Sequence, residues 1–147
     1  MIAVVDASVV LKWLLADPGR EADTERAAAL MRAVVAGEIA VLQPPHWLLE
    51  TGAVLARLSP ATAVEDVTLL RALDLPATDE PAVLRRACQL AIDLGQHLFD
   101  TLYHAVALET DGGMFITADA RYLRAARPIG RIVRLSDWKL SGKPVID

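Results

Sequence analysis

Two short apolar runs, Ile2-Ala3-Val4-Val5 and Met114-Phe115-Ile116-Thr117, constrain the fold of this chain more than any other feature. Neither shows the polar alternation of a half-exposed strand. Both suit strands of a parallel sheet covered by helices on its two faces. Each run is followed by an aspartate, Asp6 directly and Asp119 two residues on. Ligand sites in open α/β sheets form beyond the carboxyl ends of the strands, so Asp6, Thr117 and Asp119 are expected on the ligand side.

Helical patterns fill the space between these strands. Ser8–Leu15 reads as a first helix, broken by Asp17-Pro18-Gly19, and Thr24–Val35 as a second, closed by Gly37. Ile39–Gln43 is a second strand, stopped by Pro44-Pro45, and His46–Leu58 a third helix. Ser59-Pro60 reads as the start of a fourth helix that runs to Leu73. Leu73–Pro76 is an expected edge strand. Asp79-Glu80-Pro81 opens a fifth helix ending at Leu94-Gly95, and Phe99–Thr110 is a sixth. A short helix over Asp119–Ala126 and a strand over Arg131–Leu135 complete the pattern. The alternation predicts a three-layer α/β/α domain with a mostly parallel sheet of about five strands.

The length of 147 residues suits one domain, taken as 1–147 with a loosely held tail from about residue 139. The longest charge-free stretch, Ile39–Leu49, is too short to span a bilayer. The amino terminus has no basic signal-peptide region, so a cytoplasmic location is expected. Cys88 is the single cysteine, which leaves no internal disulfide, and a buried inert thiol is expected. No Cys/His cluster has zinc-site spacing.

The chemistry is expected at four carboxylates: Asp6, Glu50, Asp100 and Asp119. Anions gathered at one point repel unless a cation joins them, and a hard Mg²⁺ or Mn²⁺ suits an all-carboxylate set. Each aspartate also has a purely structural reading as a helix cap, worth about 1 kcal/mol. Glu50 sits among His46, Trp47, Leu48, Leu49, Val54 and Leu55, where it is either exposed or in need of a partner. Ser8 and Thr117 could orient carboxylates or a bound water; their alternatives are a helix cap and a plain strand residue. His46, His97 and His104 are assigned packing or surface roles, and Trp13, Trp47 and Tyr103 core roles.

Charge is divided along the chain. Residues 1–119 carry 8 basic and 17 acidic residues, and residues 120–147 carry 7 and 2. A basic end beside an acidic cluster suits an enzyme that grips a phosphate backbone and cuts it with a metal. Arg121, Arg124 and Arg127 share one helix face, which fits phosphate contact and a solvated surface equally. Lys12, one turn after Ser8, could reach a phosphate. An aspartyl-phosphate phosphatase is disfavoured, because Asp6-Ala7-Ser8 lacks a second aspartate, and a response-regulator receiver fails on its missing acidic pair.

Four blocks together carry a family likeness: Val5-Asp6-Ala7-Ser8 with Lys12-Trp13-Leu14; Leu48-Leu49-Glu50-Thr51; Phe99-Asp100-Thr101-Leu102-Tyr103-His104-Ala105-Val106-Ala107; and Ile116-Thr117-Ala118-Asp119 with Arg121-Tyr122-Leu123. In this order the chain, from Ile2 to about Trp138, resembles PIN-domain ribonucleases, and among them VapC-type toxins of toxin–antitoxin pairs. The resemblance implies that Asp6, Glu50, Asp100 and Asp119 bind Mg²⁺ or Mn²⁺ and hydrolyse RNA phosphodiester bonds with a metal-activated water. It implies Ser8 and Thr117 as accompanying polar groups; by charge and position Lys12, Arg121 and Arg124 are the candidate RNA-backbone contacts, against a plain surface role that is favoured for Lys12. A small cognate antitoxin and a homodimer are the implied partners. Ala53 departs from the asparagine that relatives often carry three residues after the glutamate. The rival reading is a catalytically silent module that binds RNA or an antitoxin.

Overall fold

The computed structural model describes residues 1–15 and 23–140. The expected turn at Asp17-Pro18-Gly19 and the tail from residue 141 lie outside the described residues. The elements run β1 (Ile2–Val5), α1 (Ala7–Leu14), α2 (Thr24–Val35), β2 (Ala40–Val41), α3 (Trp47–Leu58), α4 (Ala63–Ala72), α5 (Pro81–Leu94), α6 (Leu98–Glu109), β3 (Gly113–Thr117), α7 (Ala120–Ala126) and β4 (Ile132–Arg134). Single 3₁₀ turns follow α7 and β4.

All strand pairs are parallel, in the order β2-β1-β3-β4. Parallel neighbours need long crossovers, and the helices supply them. β1 and β3 form the centre, pairing Ile2 with Gly113 through Val5 with Ile116. Their residues from Ala3 to Val5 and from Phe115 to Thr117 are buried, as unbroken apolar runs in a doubly covered sheet should be. The two runs that most constrain the chain thus become its two central strands.

α6 packs against both central strands and is covered in turn by α5, while α1 packs on α2 and α3. Every α6 residue from Thr101 to Ala107 is buried, the mark of a helix enclosed on all sides. Tyr103, Phe115 and Tyr122 are the largest fully buried side chains. Tyr103 stacks on Phe115 at 5.8 Å, and Tyr122 meets Phe115 edge-on at the same distance. β3 can lie this close to α6 because Gly113 has no side chain. A Cβ there would run into the Ala107 carbonyl and sit 2.9 Å from its Cα.

Several boundaries differ from the sequence expectations. The sheet has four strands rather than about five, because Leu73–Pro76 forms no ladder and offers Gln43 N–H only the Pro76 carbonyl. A single bridge, Gln43 with Ala77, stands in its place. α4 begins at Ala63 after Thr62, whose hydroxyl bonds Asp66, so Ser59-Pro60 ends one helix and does not start the next. Cys88 is exposed on α5 rather than buried, because α5 offers α6 its Val83, Ala87 and Leu90 face.

Gln43 is fully buried and was not singled out by the sequence. Its side-chain amide substitutes for a strand: Val5 N–H donates to Oε1 and Nε2 donates to Val5 O, both at 2.8 Å. Its own backbone bonds Pro76 and Thr78. The peptide just before Asp6 is therefore held on the β2 side by a side chain. We expect Gln43→Leu to leave both Val5 groups unpaired and to cost about 2–4 kcal/mol. Urea unfolding measures the cost, and loss of amide-exchange protection at Val5 locates it.

Candidate functional site

Asp6 leaves β1 at the carboxyl edge and is 6% exposed. It occupies the N-cap position of α1, yet its side chain makes no capping bond. Instead Oδ2 accepts from Ser8 Oγ and from Thr117 Oγ1, each at 2.7 Å. Both hydroxyls are themselves acceptors, Ser8 from Ala118 N–H at 3.1 Å and Thr117 from Asp119 N–H at 3.0 Å. A hydroxyl that accepts a backbone N–H on one side presents its own proton on the other. Both protons land on Oδ2, so Oδ1 carries neither. The register of β1 with β3 brings Thr117 to Asp6 across 111 residues.

Burial is the largest cause that raises the Asp6 carboxyl, to about 6; the Ser8 and Thr117 bonds oppose it, and the charges of Glu50 and Asp100 add to it. Asp100 is raised by partial burial first, then by Glu50 and Asp119, with His97 and His46 opposing. Asp6, Glu50 and Asp100 therefore lie within electrostatic reach of one another, and Asp119 lies within reach of Asp100. His46 lies 3.1 Å from Glu50, and His97 and His46 are the groups whose charge opposes the rise at Asp100.

Glu50 is half-buried in the first turn of α3. Its Oε2 accepts from Tyr103 OH at 3.0 Å, and His46 Nε2 lies 3.1 Å away. His46 Nε2 is also 2.9 Å from Phe99 O. Both neighbours of Nε2 are acceptors, which assigns the proton to that nitrogen. His46 thereby ties α3 to the first turn of α6, while its Nδ1 is buried without a hydrogen-bond partner. Burial and the Glu50 and Asp6 charges keep the Tyr103 hydroxyl protonated far above neutral pH.

The capping readings divide. Asp119 does cap α7, its Oδ1 accepting from Arg121 N–H at 2.9 Å and Tyr122 N–H at 3.1 Å. Asp100 does not cap α6. That role falls to His97, whose Nδ1 accepts from Phe99 N–H at 3.1 Å. The Asp100 carboxylate is left to the cluster.

His104 is fully buried and serves structure. Its Nε2 donates to Gly130 O at 2.7 Å, and its Nδ1 lies 3.0 Å from Tyr122 OH. Burial lowers its pKa, so it remains neutral. Tyr103 and His46 are the site residues that sequence reasoning assigned to packing. The available signals were their spacings, Tyr103 three residues after Asp100 and His46 four before Glu50, each one helical turn from a carboxylate. Ala53 is exposed on α3. Arg121 and Arg124 are exposed on α7. Lys12 lines a separate concavity with Ser8, Leu11, Leu15, Leu58 and Ala118.

Oxygen donors that raise one another's pKa suit a hard cation by their chemistry. The spacing is open, however: among the described residues no three Asp, Glu, His or Cys side chains form a ready-made metal-holding group. Mg²⁺ needs only one or two protein carboxylates and keeps its remaining waters, so the donor set fits that ion without a closed protein cage.

No curated protein matches the chain significantly. The PIN domain family matches it over residues 3–128, from β1 through the turn after α7, a span that contains all four carboxylates. By the extent of that match, and with a parallel sheet that sets Asp6 beside Thr117, the chain belongs to the PIN domain family.

Proposed function

We propose that this protein is a Mg²⁺- or Mn²⁺-dependent endoribonuclease, the toxin of a type II toxin–antitoxin pair, acting in the cytoplasm. PIN domains are typically nucleases, which supports the reaction class. The observation that carries the reading is the buried Asp6 at the carboxyl edge of β1, its Oδ2 held by Ser8 and Thr117 and its carboxyl raised to about 6 by burial and by the charges of Glu50 and Asp100. The four VapC-like blocks support the toxin role, a small antitoxin and a homodimer as partners.

Asp6, Glu50 and Asp100 would hold the ion, with Asp119 at the margin. When bound, it supplies charge stabilisation to the phosphodiester and lowers the pKa of an attacking water. The residues of the chain do the positioning. Ser8 and Thr117 lock Oδ2 of Asp6, which leaves Oδ1 without a hydroxyl donor and able to take a cation. Tyr103 and His46 hold Oε2 of Glu50 in the same way. Asp119 Oδ1 accepts from two α7 N–H groups, which leaves its other oxygen to act as a base. Either Glu50 or Asp119 is suited to take the proton of the water.

The open spacing of the carboxylates favours a second reading, a silent PIN module that binds RNA or an antitoxin without cutting. Cleavage of total cellular RNA with Mn²⁺, beside EDTA controls, separates the two. The enzyme yields discrete fragments, and Asp6→Asn and Asp100→Asn each lower the rate by about 100-fold or more. Full activity in both variants overturns the assignment.

Stability supplies an independent check. The folded-state pKa of Asp6 lies above its unfolded value, so the folded chain binds more protons and loses stability as pH rises from about 4 to about 6. In EDTA at neutral pH, Asp6→Asn should therefore melt higher than wild type, by on the order of 2–3 kcal/mol at most. The advantage should vanish below about pH 4. Mn²⁺ should raise the melting temperature of the wild type and leave Asp6→Asn unmoved. Thermal melts across pH, with and without Mn²⁺, read both effects.

A further inference from the structure

A shallow cavity of about 270 Å³ lies beside α7, lined by Ala120, Leu123, Arg124, Arg127 and Arg134. Three of these five are arginines and none is acidic. All three are exposed, and among the described residues none is in an ion pair. Two other cavities are internally balanced: Arg86 faces one with Asp93, and Arg71 another with Asp74. Three guanidinium groups around one concavity stay charged at every physiological pH and repel each other until an anion enters. Their planar forks match phosphate oxygens.

The position of the cavity relates it to the carboxylates. Arg134 ends β4 and pairs in register with Thr117 of β3. Thr117 donates to Asp6, and neighbouring strands lie about 4.8 Å apart. One wall of the cavity, Arg134, therefore stands at the same sheet edge as Thr117 and Asp6, with the opposite charge. Its floor is fixed: Tyr122, one residue before Leu123, meets His104, and His104 holds the Gly130 turn that joins Arg127 to β4. Arg131 is used differently, its Nη1 bonding the Ala107 and Thr110 carbonyls.

We propose that Arg124, Arg127 and Arg134 form a phosphate subsite that grips the RNA strand beyond the bond placed at the carboxylates. The inference rests on the nuclease reading in taking that strand as substrate. At about 1.5 Å of rise per residue, Asp119 and Arg127 stand roughly 12 Å apart along α7. Phosphate contacts of this kind set the register of a strand without reading its bases.

The test is the salt dependence of RNA binding, measured on the full chain in EDTA by anisotropy of a short labelled single strand. Each phosphate contact contributes about 0.7 to the slope of log K against log salt between about 50 and 200 mM KCl. The pair Arg127→Gln with Arg134→Gln should lose about 1.4 of that slope, and Arg127→Lys with Arg134→Lys should keep it. An unchanged slope in the glutamine pair, with its melting temperature intact, overturns the subsite, as does equal loss in the lysine pair. If the glutamine pair loses binding to a polyglutamate peptide while RNA binding stays intact, the cavity serves an acidic protein partner and the RNA assignment fails. Metal-dependent cleavage with an unchanged slope refutes the subsite alone. A lost slope in a chain that cuts no RNA under any metal keeps the phosphate contact and refutes the reaction.

Discussion

The hydrogen bond from Thr117 to Asp6 exists because β1 and β3 pair in parallel and in register, and the geometry of the site rests on that pairing. A carboxylate as buried as Asp6 is costly unless its lone pairs are answered. Two hydroxyls answer one oxygen, and each is aimed by a backbone N–H from the segment that follows β3. On the other flank, the Gln43 amide closes the sheet against Val5. Asp6 is thus pinned from both sides, by side chains distant in sequence.

α6 carries this order outward. Its middle, Thr101 to Ala107, is enclosed on every face, so each polar side chain there must find a partner, and each does. Thr101 donates to Ala87 O, Tyr103 to Glu50, and His104 bonds Gly130 and Tyr122. These partners lie on α5, α3, the turn before β4, and α7. One buried helix therefore fixes both the glutamate of the acidic cluster and the floor of the arginine cavity. The two regions carry opposite charge and share one sheet edge, an arrangement that draws a polyanion to one side and a cation to the other.

The legible part of the site was the part carried by local pattern. Asp6 and Asp119 could be found because each follows an apolar strand, and Glu50 because a carboxylate on a packed helix needs a partner. The capping alternative was sound for Asp119 and failed for Asp100, since His97 reaches the same free N–H groups first. Gln43 and Tyr103 escaped notice as polar anchors, because a buried amide or phenol looks like any other core residue until its partner is known. Leu73–Pro76 has the composition of an edge strand, but the Gln43 backbone bonds Pro76 and Thr78 and leaves only one bridge. Cys88 was misjudged because its helix is apolar on the α6 side alone.

Apolar periodicity is a local property, so the sequence by itself determined the succession of strands and helices, the parallel sheet, and the placing of Asp6 and Asp119 just beyond its two central strands. Tertiary structure decided what those carboxylates meet. Strand register joined Asp6 to Thr117, helix packing joined Glu50 to Tyr103 and His46 to Phe99, and the β3–β4 pairing set Arg134 in register with Thr117. Hydrogen bonds and fields act over a few ångströms, and only the folded chain brings residues so far apart in sequence within that range.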